Sequence, residues 1–239
     1  MQRYVDLEAC RLSHERAVDQ LDLGRPTRFH VLEHRRVVRT TSPRRQDVHL
    51  PGIVVQLHSR RCGDAHVEYV LDTATWIGPY RGTTEADASR VAELIEAGGL
   101  KAQAFPDLRP AQWSKLIFNA TVNGVAALTG LPHDFHFAQT AELSDLGHLV
   151  RDLVDEGKAV AAAAGIELHD DPWEMNVLAT QRGHRHFPSM LEDVEARRPT
   201  EVELINGALV REAERHGVAV PLQTALYRLV KAREASYSE

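Results

Sequence analysis

Three polar side chains recur at every fourth position of an otherwise apolar stretch: Lys115, Asn119 and Asn123, within residues 113–130, W-S-K-L-I-F-N-A-T-V-N-G-V-A-A-L-T-G. The spacing predicts a helix that carries them as one slowly drifting stripe. An ammonium or amide taken out of water is costly unless it finds a partner, so three in line call for protein groups or a polar ligand. A lysine with a lowered pKa can protonate a carbonyl oxygen that becomes negative on reduction, while amides and a hydroxyl such as that of Ser189 fix a small polar substrate. Glu201 completes the set. In R-P-T-E-V-E (198–203), Thr200 and Glu203 stand at capping-box spacing, which leaves Glu201 without a capping duty. It is free to accept a hydrogen bond from a substrate hydroxyl or to hold the ammonium. The same residues allow a structural reading, a buried Lys115–Glu201 ion pair with the asparagines bonding between helices. Spacing alone leaves both open.

The background sharpens the lysine. Arginine outnumbers lysine 24 to 4, and of the two only lysine readily gives up its proton when desolvated. Other chemistry is weaker. His133 with His136, and His184 with His186, suggest metal ligands, but neither pair has a third ligand at a telling spacing, so no metal is expected. Ser189 lacks a nucleophile-elbow pattern. Cys10 and Cys62 stand far apart, outside any C-x-x-C arrangement, and read as reduced thiols.

The elements that must position the stripe follow from periodicity and breakers. Residues 5–21 suit an amphipathic helix, followed by β-prone runs at 29–38 and 53–58. Between Arg25 and Arg61 nine arginines face only Glu33 and Asp47, although the net charge is −6. Without lysines, helix-turn-helix or zinc pattern, this basic region reads as solvated surface and not as a nucleic-acid site. Strands at 66–71 and 73–77 precede a helix over 84–97, with Thr84 as N-cap, Val91, Leu94 and Ile95 inward, and Gly98-Gly99 as its stop. A short strand over 101–105 follows.

After Pro110 only helical periodicity remains: 138–164 with Leu143, Leu146, Leu149, Val150, Leu153 and Val160 in helical register, then 172–181, 200–216 and 221–234. Gly207 inside a helix points to close packing. The boundary therefore falls near residue 108, with α/β before it and all-α after it. The chain is expected to be soluble and cytoplasmic, with no membrane span and no secretory signal. It contains no G-x-G-x-x-G, the glycine loop that a dinucleotide site needs between strand and helix.

The stripe block, together with S-M-L-E-D-V-E-A-R-R-P-T-E-V-E-L-I-N-G and H-G-V-A-V-P-L-Q-T-A-L-Y-R-L-V-K, resembles the C-terminal domain of ketopantoate reductases (2-dehydropantoate 2-reductases). The resemblance continues more weakly upstream to about residue 58. It implies a Rossmann-like α/β region over 1–108, incomplete or diverged with 1–55 unassigned. It also implies an all-α domain over 109–239 of the 6-phosphogluconate dehydrogenase C-terminal-like class. The implied reaction is NADPH-dependent reduction of ketopantoate, or a similar small 2-oxo acid, in pantothenate synthesis, and a homodimer is compatible with it. Lys115 would be the general acid, Asn119, Asn123 and Ser189 would bind substrate, and Glu201 would hydrogen-bond the substrate hydroxyl. The family often has asparagine where this chain has His133, and the missing glycine loop leaves the NADPH-binding residues unknown. The contrasting expectation is a truncated, non-catalytic homologue serving as a helical binding or interaction module.

Overall fold

The computed structural model describes residues 52–54, 58–63, 66–71, 74–80, 82–138, 144–181 and 187–238. The expected helix over 5–21, the strand over 29–38, Cys10 and the His184/His186 loop lie outside the described residues. Two compact units divide between Leu108 and Arg109.

In the first unit, strands β1 (Gly52–Val54), β4 (Thr75–Gly78) and β5 (Ala102–Ala104) form a sheet in the order β1-β4-β5. β1 runs antiparallel to β4, whereas β4 and β5 are parallel. β2 (His58–Gly63) and β3 (His66–Leu71) make a separate antiparallel pair. The stretch expected as one strand at 53–58 thus divides between β1 and β2. Helix α1 (Glu85–Ala97) crosses from β4 to β5, completing a βαβ unit. Its N-terminus carries a complete capping box: the Thr84 hydroxyl accepts the Asp87 N–H, and the Asp87 carboxylate accepts the Thr84 N–H at 2.8 Å. Aspartate is long enough here. The buried face is Ala88 and Ala92 with Val91 and Ile95 beside them, over Ile77. Leu94, expected inward, is 64% exposed, because six residues beyond Ala88 the helix has turned it away from that face.

The described secondary elements of the second unit are helical. Helix α2 (Arg109–Thr129) contains the stripe, and eleven of its 21 residues are buried. Such a helix must be central, and it packs against all five others: α3 (Asp145–Ala163), α4 (Pro172–Gln181), α5 (Ser189–Glu195), α6 (Asn206–His216) and α7 (Pro221–Ala235). Gly130, Gly165 and Gly217 follow α2, α3 and α6 in left-handed conformation, where a side chain would strain the backbone. Two apolar clusters share α2: one with α5, α6 and α7 around Met190, Val202, Leu209 and Val230, the other with α3 and α4 around Phe137, Leu153 and Trp173.

Two expectations need correction. The helix expected from 138 begins at Asp145, where the Ser144 hydroxyl accepts the Gly147 N–H; a short 3-10 turn (Phe135–Ala138) comes earlier, and Leu149 is exposed. The helix expected from Thr200 begins at Asn206, preceded by a turn over 201–205. There the Ile205 N–H bonds to the Glu201 carbonyl and the Gly207 N–H reaches back to Val202, a five-residue step that α-helical bonding cannot continue. The Thr200/Glu203 box does not form. Glu203 accepts from Arg211 and Tyr227, and Thr200 donates to Glu234. Among the described residues no helix is long and apolar enough to cross a membrane.

Candidate functional site

Lys115 and Asn119 are half-buried on α2, and Asn123 one turn further is 9% exposed. Ser189, half-buried, opens α5, the helix packed along α2. Glu201, also half-buried, begins the turn between α5 and α6. None of these five side chains hydrogen-bonds or forms a close ion pair with another described residue. The structural reading of the stripe calls for such bonds, and of them only the longer-range attraction between Lys115 and Glu201 is present. Elsewhere α2 satisfies its polar groups. The Ser114 hydroxyl donates to the Asp170 carbonyl at 2.8 Å, and the Asn206 amide donates to the Ala120 carbonyl at 2.6 Å and to Gln223 at 3.1 Å. The Ser114 hydroxyl and the Asn206 Nδ2 are thus matched to protein, although the buried Asn206 Oδ1 has no hydrogen-bond partner, while the side chains of the stripe make no hydrogen bond among the described residues.

Charge draws Lys115 and Glu201 together without a contact ion pair. Burial pushes the Lys115 ammonium down to about 8, opposed by the attraction of Glu201. Burial, then the nearby Asp193 carboxylate, push Glu201 up to about 7, with Lys115 opposing. Asp193 lies on α5, where Arg198 donates to it at 2.8 Å and 2.9 Å. Neither group is held firmly in one protonation state near neutrality, which suits a proton donor and a hydrogen-bonding partner for an oxyacid. Electrostatic attraction couples Lys115 with Glu201, and Asn119 and Asn123 lie along the same helix as the lysine. Ser189 is placed beside that helix by its element, not by a direct bond.

His133 belongs to the core. It is 2% exposed, its Nε2 lies 2.8 Å from Asn176 Oδ1, and its ring meets Phe118 and Phe137 edge-on. Burial holds its pKa below the ordinary histidine value against the Asn176 bond. His136, its suggested metal partner, instead pairs with Asp134 at 2.7 Å. Asp193, and the clamp of Asn206 and Gln223 behind α2, were not expected from sequence. Their roles depend on contacts across long chain separations, for which local spacing holds no signal.

A dinucleotide needs bare helix amides and glycines around its pyrophosphate. The one βαβ crossover among the described residues does not fit it. The α1 N-terminus carries the carboxylates of Glu85 and Asp87, which repel a pyrophosphate, and the capping box already engages the Thr84 and Asp87 amides. No cofactor contact is assigned to the described residues.

Residues 107–234 match the family model described as ketopantoate reductase PanE/ApbA C terminal. The chain is 31% identical over 170 residues to the 2-dehydropantoate 2-reductase of Archaeoglobus fulgidus, covering 71% of this chain and 56% of that relative. It is similar in structure to the 2-dehydropantoate 2-reductase of Methylococcus capsulatus, with 29% identity, TM-score 0.66 and coverage of 77% and 57%. A D-mandelate dehydrogenase solved with NADH and anilino(oxo)acetate gives 25% identity, TM-score 0.68 and coverage of 77% and 60%. The chain spans a little over half the length of the curated relatives it matches. With its α/β segment, its all-α C-terminal unit and a family match across most of that unit, the chain belongs to the ketopantoate reductase family.

Proposed function

We propose that the helical unit is the substrate-binding half of a 2-oxo-acid reductase, acting on ketopantoate or a similar small 2-oxo acid in the route to pantothenate. The observation that carries this reading is the stripe itself, a lysine and two amides on a central helix with no hydrogen-bond partner among the described residues, with the Glu201 carboxyl, its pKa raised to about 7, acting on the lysine. A 2-oxo acid brings the complementary groups: a carboxylate for the amides and the Ser189 hydroxyl, and a ketone oxygen that needs a proton as negative charge develops on it. Lys115 is the proton donor, since an ammonium with a pKa near 8 is charged at neutral pH yet releases its proton easily. Glu201 accepts from the substrate hydroxyl. Family members that act on 2-dehydropantoate support the acid's class, as does the oxoacetate bound by the D-mandelate dehydrogenase.

NADPH or NADH is the reductant the family supports. The described residues do not fit its pyrophosphate, so no step is assigned through it. The test is loss of reduced-nicotinamide absorbance when the purified chain meets ketopantoate. Turnover in the wild type that disappears in Lys115→Ala supports the reading. Equal turnover in both, or none with any small 2-oxo acid, rejects it.

A further inference from the structure

Glu201 projects from a turn, and a turn holds a side chain only as well as its flanks are held. Both flanks are held by one face of α7. On the N-terminal side, Glu234 Oε1 accepts the Thr200 N–H at 2.6 Å and the Thr200 hydroxyl at 2.7 Å, while Oε2 accepts from Lys231 at 3.1 Å. The Glu234 side chain is only 13% exposed. Burial works against its ionisation, yet the two Thr200 bonds and Lys231 outweigh it and hold the carboxyl below its ordinary value.

On the C-terminal side, Glu203 accepts from the Tyr227 hydroxyl and from Arg211, each at 2.6 Å, and a second Arg211 nitrogen donates to the Glu203 carbonyl at 3.0 Å. Tyr227 and Glu234 are seven residues, two helical turns, apart and so share a face. Gly207 lets this cluster sit down on bare backbone. A Cβ there would lie 3.1 Å from the Tyr227 ring, 3.2 Å from Arg211 and 3.3 Å from the Glu203 carboxylate. Between the two pins, Val202 is fully buried and its N–H donates to the Thr200 hydroxyl at 3.2 Å.

We propose that Glu234 is a positioning residue: through Thr200 it fixes the turn that carries Glu201 toward Lys115, so that the end of the last helix sets the geometry of the site. What the site binds rests on the function proposed above; what Glu234 does to Glu201 does not. The charged groups acting on Glu201 are Lys115 from α2 and Asp193 from α5, and neither touches Glu234. A freed turn would let water reach the Glu201 carboxylate and remove the burial that raises its pKa.

The test follows the Glu201 carboxyl by NMR in the full chain labelled with carbon-13 glutamate, with Glu201→Gln identifying its signal. Glu234→Ala should move the titration midpoint from about 7 toward the ordinary 4.5. Thr200→Ala, which keeps the N–H bond, should move it less in the same direction. Glu234→Gln, whose amide oxygen can accept both Thr200 bonds, should leave it near the wild-type value. Ketopantoate affinity should fall roughly tenfold in Glu234→Ala and be restored in Glu234→Gln. A midpoint unchanged in folded Glu234→Ala overturns the proposal; if that variant does not fold, an unchanged midpoint in Thr200→Ala does so. A midpoint that moves in a chain binding no 2-oxo acid leaves this proposal standing and removes the functional one.

Discussion

Lys115 and Glu201 both carry charges that burial disfavours, and stability should register each with its own sign. The folded-state pKa of Glu201 is raised from 4.5 to about 7, so folding favours its protonated form. Its contribution is fully present below 4.5 and lost as pH rises through 7. Glu201→Gln should therefore stabilise the unliganded protein by about 1–2 kcal/mol at pH 8, allowing for partial exposure, and leave it unchanged near pH 4. Thermal unfolding at the two pH values checks this. Lys115 is the mirror case, lowered from 10.5 to about 8. Its contribution is present above the unfolded value and lost as pH falls through 8. As the proposed proton donor, it should make the proposed reduction fall about tenfold per pH unit above 8, which a pH–rate profile measures. Arg197 belongs to this scale too. It closes α5 at φ 52, a left-handed conformation that glycine adopts freely, so Arg197→Gly should raise stability by about 1 kcal/mol in chemical denaturation.

Among the elements, α2 is the central one of its unit because each of the other five described helices there packs on it. Gly157 of α3 lies against Ile117, two residues from Lys115 and two from Asn119, and a Cβ there would stand 2.6 Å from Ile117 Cγ2. Gly157→Ala should push α3 from α2 and cost about 1–3 kcal/mol in thermal unfolding, with weakened 2-oxo-acid binding as the accompanying readout. Much at this scale was legible in sequence. The ends of α4 and the start of α7 follow proline and periodicity, and Gly130, Gly165 and Gly217 mark the ends of their helices. What escaped depends on tertiary contact. Thr200 and Glu203 have capping-box spacing, yet Glu234 and Tyr227, 34 and 24 residues away, take them instead and delay α6 to Asn206. Leu94 and Leu149 fit an apolar pattern locally but face solvent. The stripe was legible because a period of four shows without partners. That its side chains make no hydrogen bond with the described residues required the structure.

At the scale of the whole molecule, the family match covers residues 107–234, nearly the whole of one compact unit that owns two apolar clusters. Residues 109–239 expressed alone should therefore unfold cooperatively, with a sigmoidal denaturant transition by circular dichroism; a gradual loss of helix would contradict that independence. The chain spans a little over half the length of its curated relatives, and its described βαβ crossover does not fit a dinucleotide. The proposed acid binding is thus the part of the functional reading most directly tied to the residues described. Calorimetric titration of the chain with ketopantoate tests it. Saturable binding is expected at neutral pH, weakening above pH 8 and abolished in Lys115→Ala. Binding that ignores both the pH change and the substitution, or no heat at millimolar acid, would contradict the proposal.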